Sequence, residues 1–560
     1  MTLPAPPLSP SPTQRTDATA PPTSTATLVL VHVLVWAALQ ALVQSNLDSY
    51  HDMLENFAWA QTFEWGTFKH PPVFAWAVGL WFEFMPTTDW AYRLLAYANV
   101  GLGLWGVAVL AQRLRLAHLA PAAVLLLLWT LPYTTLAAKF NANSQLLSLW
   151  PWTAVALLAA MEARGLRAWG WHLALGLLAA ASFLSKYYSG VVLLGFLMVV
   201  LTRTEGLRWL RGPWPWLALG VFLLALWPHL AWLRARDFAT LGYAMNQGDG
   251  DTEWLPLIKF ALTPVGYWGL AWLAAVATHA LSTPVPKEDS AWRRLAQGLV
   301  HSWRPLGWDD ALFWLAVLPG GITLLFGFAG VAELSTPWAI PIGYAFSLLW
   351  LRNLDALWGP AAGHLARQRL RRAAWPVLAL VVALGAVHGW QRASQGHPDH
   401  YRPAQQAAQD ILALWQHEHP QLKLGWVGGA WADNALLAFY GDRRIRALPG
   451  LPDEAPATLA PHPTWANEGG VLLCPLGRWN PDTAALVADA APAAKTVDAT
   501  RYSQVPQACL SDVADWLKTQ GQPTQPHLLR VARHGWRYPR EEVFGYAVFF
   551  YSPAVTPAAR

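Results

Sequence analysis

ATLVLVHVLVWAALQALVQSNLDSYHDMLENFAWAQTFEWGTFKHPP, residues 26–72, is a long apolar block followed at once by acids, aromatics and a basic turn. The block at 26–43 carries no charged residue and approaches the ~20 residues a helix needs to cross hydrocarbon. Beyond it, Asp48 and Asp52 stand four residues apart, and Glu55 three further on. On a helix these three share one face, with Phe57, Trp59 and Phe63 supplying apolar surface. Three like charges on one face cost stability unless something uses or compensates them. Two readings follow: the solvated face of a helix lying at a membrane surface, or carboxylates placed for chemistry.

The apolar block recurs along the chain. Of 560 residues, 54% are apolar and 13% charged, with 36 Trp; a water-soluble protein carries about 25% charged residues. Blocks near 26–43, 90–110, 119–133, 144–162, 170–184, 188–202, 215–233, 258–281, 311–329, 337–351 and 374–390 predict a polytopic α-helical membrane protein. The count is eleven, or up to thirteen, because 119–133 and 337–351 are short. The stretch 72–85, with Trp76, Trp81 and Phe84, is too short to span and suits an interfacial helix. Residues 1–25 read as a disordered tail. Only Arg15 precedes the first block, which therefore reads as a retained span and not a cleaved signal.

A cytoplasmic N-terminus puts seventeen Lys and Arg on the inner side and eight on the outer side, as the positive-inside rule requires. The net charge of +5 is thus spread between spans, and nucleic acid is excluded as a partner. An odd number of spans sends residues 393–560 outside. Their alternating apolar runs and turns predict a small soluble α/β domain beyond a membrane domain at 26–392, whose first outer loop is 44–89. The only two cysteines, Cys474 and Cys509, both lie there. They form one disulfide in an oxidising compartment, or they are two unrelated buried thiols.

Several outer basic residues sit at span ends beside aromatic or small polar residues: Lys69-His70, Lys139, Lys186 and Arg234, the last after Pro228-His229. Each alone reads as an interfacial anchor; together they suggest a pocket for an anionic group such as a lipid phosphate. A carboxylate beside such a pocket suits sugar transfer, which needs a base for the acceptor hydroxyl and positive charge for the departing phosphate.

The stretch 52–72 resembles the first periplasmic loop of GT-C glycosyltransferases of the protein-mannosyltransferase (family 39) type, which include the aminoarabinose transferase of lipid A. KFNANS at 139–144, SKYYSG at 185–190 and Pro228-His229 resemble further elements of bacterial members, so the likeness covers about 26–260. It implies a polyprenyl-phosphate sugar donor and an envelope acceptor (lipid A, glycan or protein) at the periplasmic face of a bacterial inner membrane. Asp52 takes the position of the family's acidic residue and is the implied base. Met53 stands where many members have Glu, leaving Asp48 or Glu55 as the second carboxylate. Lys69, His70, Lys139, Lys186 and Arg234 are the implied phosphate contacts. Lys69 also replaces an acidic metal ligand of the aminoarabinose transferase, which leaves a divalent metal open but argues against that site. Asp249, Asp251 and Glu253 are spaced like a calcium loop, yet the twelfth position is Phe260; they read as a solvated loop, or as an acceptor or weak cation site. The alternative function, a flippase for a lipid-linked glycan, needs ionisable residues within spans or paired repeats, and neither is evident.

Overall fold

The computed structural model describes residues 24–43, 47, 52–245, 253–283, 290–394, 403–448, 450–452, 464–479, 502, 506–532 and 543–553. Apolar length makes the long helices α1 (Thr25–Val43), α4 (Asp89–Arg113), α6 (Ala142–Glu162), α7 (Leu166–Ser185), α10 (Trp214–Ala235), α12 (Trp254–Ser282), α14 (Ala311–Phe328) and α16 (Pro360–Ser394). Among the described residues these eight are long and apolar enough to cross a membrane. Two bent pairs raise the number to ten. One joins α5 (Ala120–Leu127) to turns ending at Ala138, bent by 86°; the other joins α8 (Gly190–Thr202) to α9 (Thr204–Leu210), bent by 102°. The eleventh expected block, 337–351, is two short turns and α15 (Phe346–Asp355), which falls short of a single spanning helix. Pro151, Pro228, Pro264, Pro319 and Pro376 lie within long helices, where neighbouring helices tolerate them.

α1, α4, α6, α7 and α10 pack in sequence, while α12, α15 and α16 close on α5. α6 is the most enclosed of the eight long helices and α16 the least. Between α1 and α4 lie α2 (Asp52–Ala60) and α3 (Val73–Phe84), the latter at the expected interfacial stretch. α11 (Ala239–Met245) follows α10, and α13 (Ala291–His301) joins α12 to α14.

The last third forms a mixed five-stranded sheet in the order β2-β1-β3-β5-β4. Its strands are β1 (Leu424–Gly429), β2 (Arg446–Ala447), β3 (Gly469–Arg478), β4 (His527–Ala532) and β5 (Val543–Tyr551). β1 runs parallel to β2 and β3, and β5 antiparallel to β3 and β4. Helices α17 (Ala404–Glu418), α18 (Trp431–Tyr440) and α19 (Gln507–Thr519) accompany it. Of the two readings of the cysteines the disulfide is realised: Cys474 on β3 joins Cys509 on α19. The sheet docks on the helical part through α18. Phe439 meets Phe57 edge to face at 5.1 Å, and the Gln61 amide pairs with β2, donating to the Ile445 carbonyl (2.8 Å) and accepting from Ala447 N–H (3.0 Å).

The expected tail 1–25 lies outside the described residues except for its last two, as do Asp48, Asp249 and Asp251.

Candidate functional site

α2 is not a solvated face: every residue from Met53 to Ala60 is buried, Glu55 included. Tyr92 donates to the Met53 carbonyl and Asn56 to the Phe140 carbonyl, fixing the helix against α4 and the 139–144 turn. Asp52 and Glu55 occupy its first turn, where the helix dipole favours negative charge. Both line a cavity of about 1780 Å³ between α2, α8, α12, α14 and α16.

The compensation that the sequence demanded is explicit. Lys139 Nζ lies 2.8 Å from Asp52 Oδ2, and Asn141 Nδ2 donates to the same oxygen at 3.1 Å. Lys69 Nζ donates to Glu55 Oε1 at 2.6 Å, with the Trp59 and Phe68 rings nearby. The bend after α5, where Pro132 helps to break the helix, delivers Lys139 to this place. Asn141 also caps α6: its Oδ1 accepts from Asn143 and Ser144 N–H, and Ser144 Oγ accepts from Asn141 N–H. One amide therefore starts a spanning helix and orients the carboxylate.

Lys186 ends α7. Its Nζ donates to Asn143 Oδ1 at 2.6 Å and lies 5.0 Å from the centre of the Trp338 ring. Burial pushes its ammonium down to about 7, with Asp52 opposing the shift. His70 lines the cavity too, but burial and then the charges of Lys186 and Lys69 push it down to about 3. It is neutral near pH 7 and meets the anion site as a polar ring against Phe74 and Tyr243, not as a cation. Arg234 is exposed in the last turn of α10 and is not among the lining residues.

The Trp65-Gly66 turn is locked from α10. His229 Nδ1 donates to the Trp65 carbonyl, leaving Nε2 to accept from Tyr187, and Trp232 Nε1 donates to Glu64. A Cβ on Gly66 would come within 2.5 Å of the Trp232 ring, so only glycine fits. Arg93 is wholly buried, donating to the Leu47 and Ala138 carbonyls; it joins the ends of two loops beneath the cavity.

Asn141, Asn143, Arg93 and Trp338 were not singled out by sequence reasoning. The signal for the first existed: Asn141 followed three residues later by Ser144, ahead of an apolar run, is a capping pattern. A divalent cation does not suit this donor set. Each carboxylate is engaged by an ammonium group, and no three His, Cys, Asp or Glu side chains converge among the described residues.

Residues 69–232 match the family model of dolichyl-phosphate-mannose-protein mannosyltransferases. No protein of curated function matches the chain in sequence. Among solved structures, ArnT from Cupriavidus metallidurans bound to undecaprenyl phosphate is similar, at 17% identity and a TM-score of 0.53, over 92% of this chain and 97% of that one. Its apo state is similar over the same shares, at 17% identity and a TM-score of 0.51. The chain thus has the GT-C fold of membrane glycosyltransferases, with a protein-mannosyltransferase-type segment at 69–232.

Proposed function

We propose that the chain is an inverting glycosyltransferase that moves a sugar from a polyprenyl phosphate to a hydroxyl of an envelope lipid, glycan or protein. The observation that carries this reading is a carboxylate, Asp52, facing one cavity together with the ammonium groups of Lys69, Lys139 and Lys186. At about 1780 Å³ the cavity exceeds the roughly 300–1,000 Å³ of ordinary small-molecule sites, in keeping with a lipid-tailed donor. Its apolar wall includes Val191, Leu194 and Phe326, a suitable path for an isoprenoid tail. Undecaprenyl phosphate is the ligand of the Cupriavidus protein, which supports this donor class.

In the reaction, Asp52 takes the proton of the acceptor hydroxyl as its oxygen attacks the anomeric carbon. The bond from that carbon to the phosphate oxygen breaks on the opposite face, so the configuration inverts. The phosphate leaves with the electron pair, and the three ammonium groups meet its charge. Asn141 keeps the carboxylate aimed throughout. The charge asymmetry of the sequence supports an orientation with the α2 end, and the sheet packed on it, on the outer side of the membrane, which the family resemblance makes the periplasmic side of a bacterial inner membrane.

The test is transfer from a polyprenyl-phosphate sugar by purified protein. Asp52→Asn, folded and inserted normally, is expected to lose activity by about 10³-fold. Full activity in that variant removes Asp52 from the mechanism, and lipid movement without turnover makes the protein a transporter. Mass spectrometry of envelope lipids and glycans from a deletion strain identifies the sugar.

A further inference from the structure

At the end of the bundle away from Asp52, a second group of cationic side chains has no part in the transfer reaction. α12 continues past Leu270, the last of its residues on the cavity wall, for nine residues, or about 14 Å, to His279. There α13 crosses it. His279 is 1% exposed; its Nδ1 accepts from Trp358 Nε1 at 2.8 Å, so the proton of the neutral ring sits on Nε2. The ring edge carrying Nε2 faces α13 at Gly298, where a Cβ would lie 3.2 Å from His279 Cδ2. One turn earlier on the same face of α13 is Arg294, 8% exposed, whose Nε donates to the Ala280 carbonyl at 3.0 Å.

Two donors remain. His279 Nε2 and Arg294 Nη1 are both buried, and neither has a hydrogen-bond partner among the described residues. Buried donors are normally paired, and a charged one left without an acceptor is costly. The paired carboxylates at this end are taken: Arg352 holds Asp310 bidentately, and His118 and Arg367 hold Asp355. Arg369 Nη1 stands at the rim, on Ser282 at 3.2 Å. The α12–α13 junction therefore presents donors and positive charge with no carboxylate bonded to them among the described residues.

We propose that this α12–α13 junction binds the phosphate head group of an anionic phospholipid. α13 explains why the anion is a lipid. Trp292, Leu295 and Leu299 fall on one side of the helix, and Arg293, Gln297 and His301 on the other, the pattern of a helix lying in a membrane surface. Trp292 is 81% exposed and Val300 70%, on the side of α13 turned away from Arg294 and Gly298, so the helix that carries the donors also offers apolar surface to acyl chains. A basic junction between helices, at the end of the bundle where the sequence concentrates Arg, is the setting in which anionic head groups bind. The site holds whatever sugar the opposite end transfers.

The experiment uses the full-length protein in neutral detergent. Thermal unfolding is followed with phosphatidylglycerol, phosphatidylcholine or inorganic phosphate added, and native mass spectrometry reads retained lipid. Phosphatidylglycerol is expected to raise the unfolding midpoint and to stay bound, and the other two to do neither. Arg294→Gln is expected to remove roughly half or more of that shift. Should this variant not fold, Arg369→Gln at the rim carries the same expectation. Arg211→Gln, exposed between α9 and α10, leaves the shift intact. An equal shift from phosphatidylcholine or from inorganic phosphate alone overturns the proposal. So does a full shift in the Arg294 and Arg369 variants, or an equal loss in Arg211→Gln.

Discussion

The two ends of the helical bundle handle charge in different ways. Away from the cavity, Asp310 accepts two hydrogen bonds from Arg352, at 2.5 and 2.7 Å, and also caps α14 by accepting from Phe313 N–H. The guanidinium fork matches the carboxylate, and both side chains are largely buried. Such a pair is a strut. At the α2 end, Asp52 and Glu55 each face a lysine beside a large cavity. An ammonium group is a compact charge on a flexible stem, able to turn from a carboxylate to a phosphate without leaving its place. Arginine is used where geometry must last, and lysine where it must change.

Five substitutions test this contrast. The largest effect belongs to Asp52→Asn, which is expected to abolish turnover in protein that melts like the wild type; Asp310→Asn is expected to do the reverse, losing stability while its folded fraction turns over. Next, Arg352→Ala strands a buried carboxylate and is expected to cost about 3 kcal/mol or more, read as a lowered midpoint in denaturation. An unchanged midpoint would erase the distinction between strut and tool. Third, the charge of Lys186 should govern donor binding. Its ammonium, held down to about 7, is present below that pH and lost above it. Donor affinity is therefore expected to fall as pH rises through about 7, and Lys186→Arg to flatten that profile in direct binding assays. The smallest effect is that of Asn141→Ala. Loss of the cap costs about 1 kcal/mol, and loss of the hydrogen bond to Asp52 is expected to lower kcat by about tenfold with KM little changed.

What the sequence made legible follows the range of the forces involved. Spanning helices are written in contiguous apolar length, so ten of the eleven blocks have counterparts in a long helix or a bent pair, and only 337–351 breaks into turns. The motif at 52–72 was legible because acids and bases recur at fixed local spacing. The pairing of Asp52 with Lys139 was not, since it depends on the bend after α5, and nothing near Asp52 encodes that bend. His70 was read as a cation or polar group because its residue type permits either; only the neighbouring ammonium groups and burial decide for the neutral ring. Arg234 occupies a span end like Lys139 and Lys186, yet its helix carries it outside the cavity lining.

Phe57 on α2 and Gln61 just beyond it meet Phe439 and Ile445, partners that lie more than 380 positions later in the chain. At about 5–20 residues per second, a ribosome needs roughly 20 to 80 s to cover that distance. For that interval the helix bearing Asp52 exists without α18 to cover it. The first outer loop is among the earliest parts of the molecule to be made and among the last to be finished.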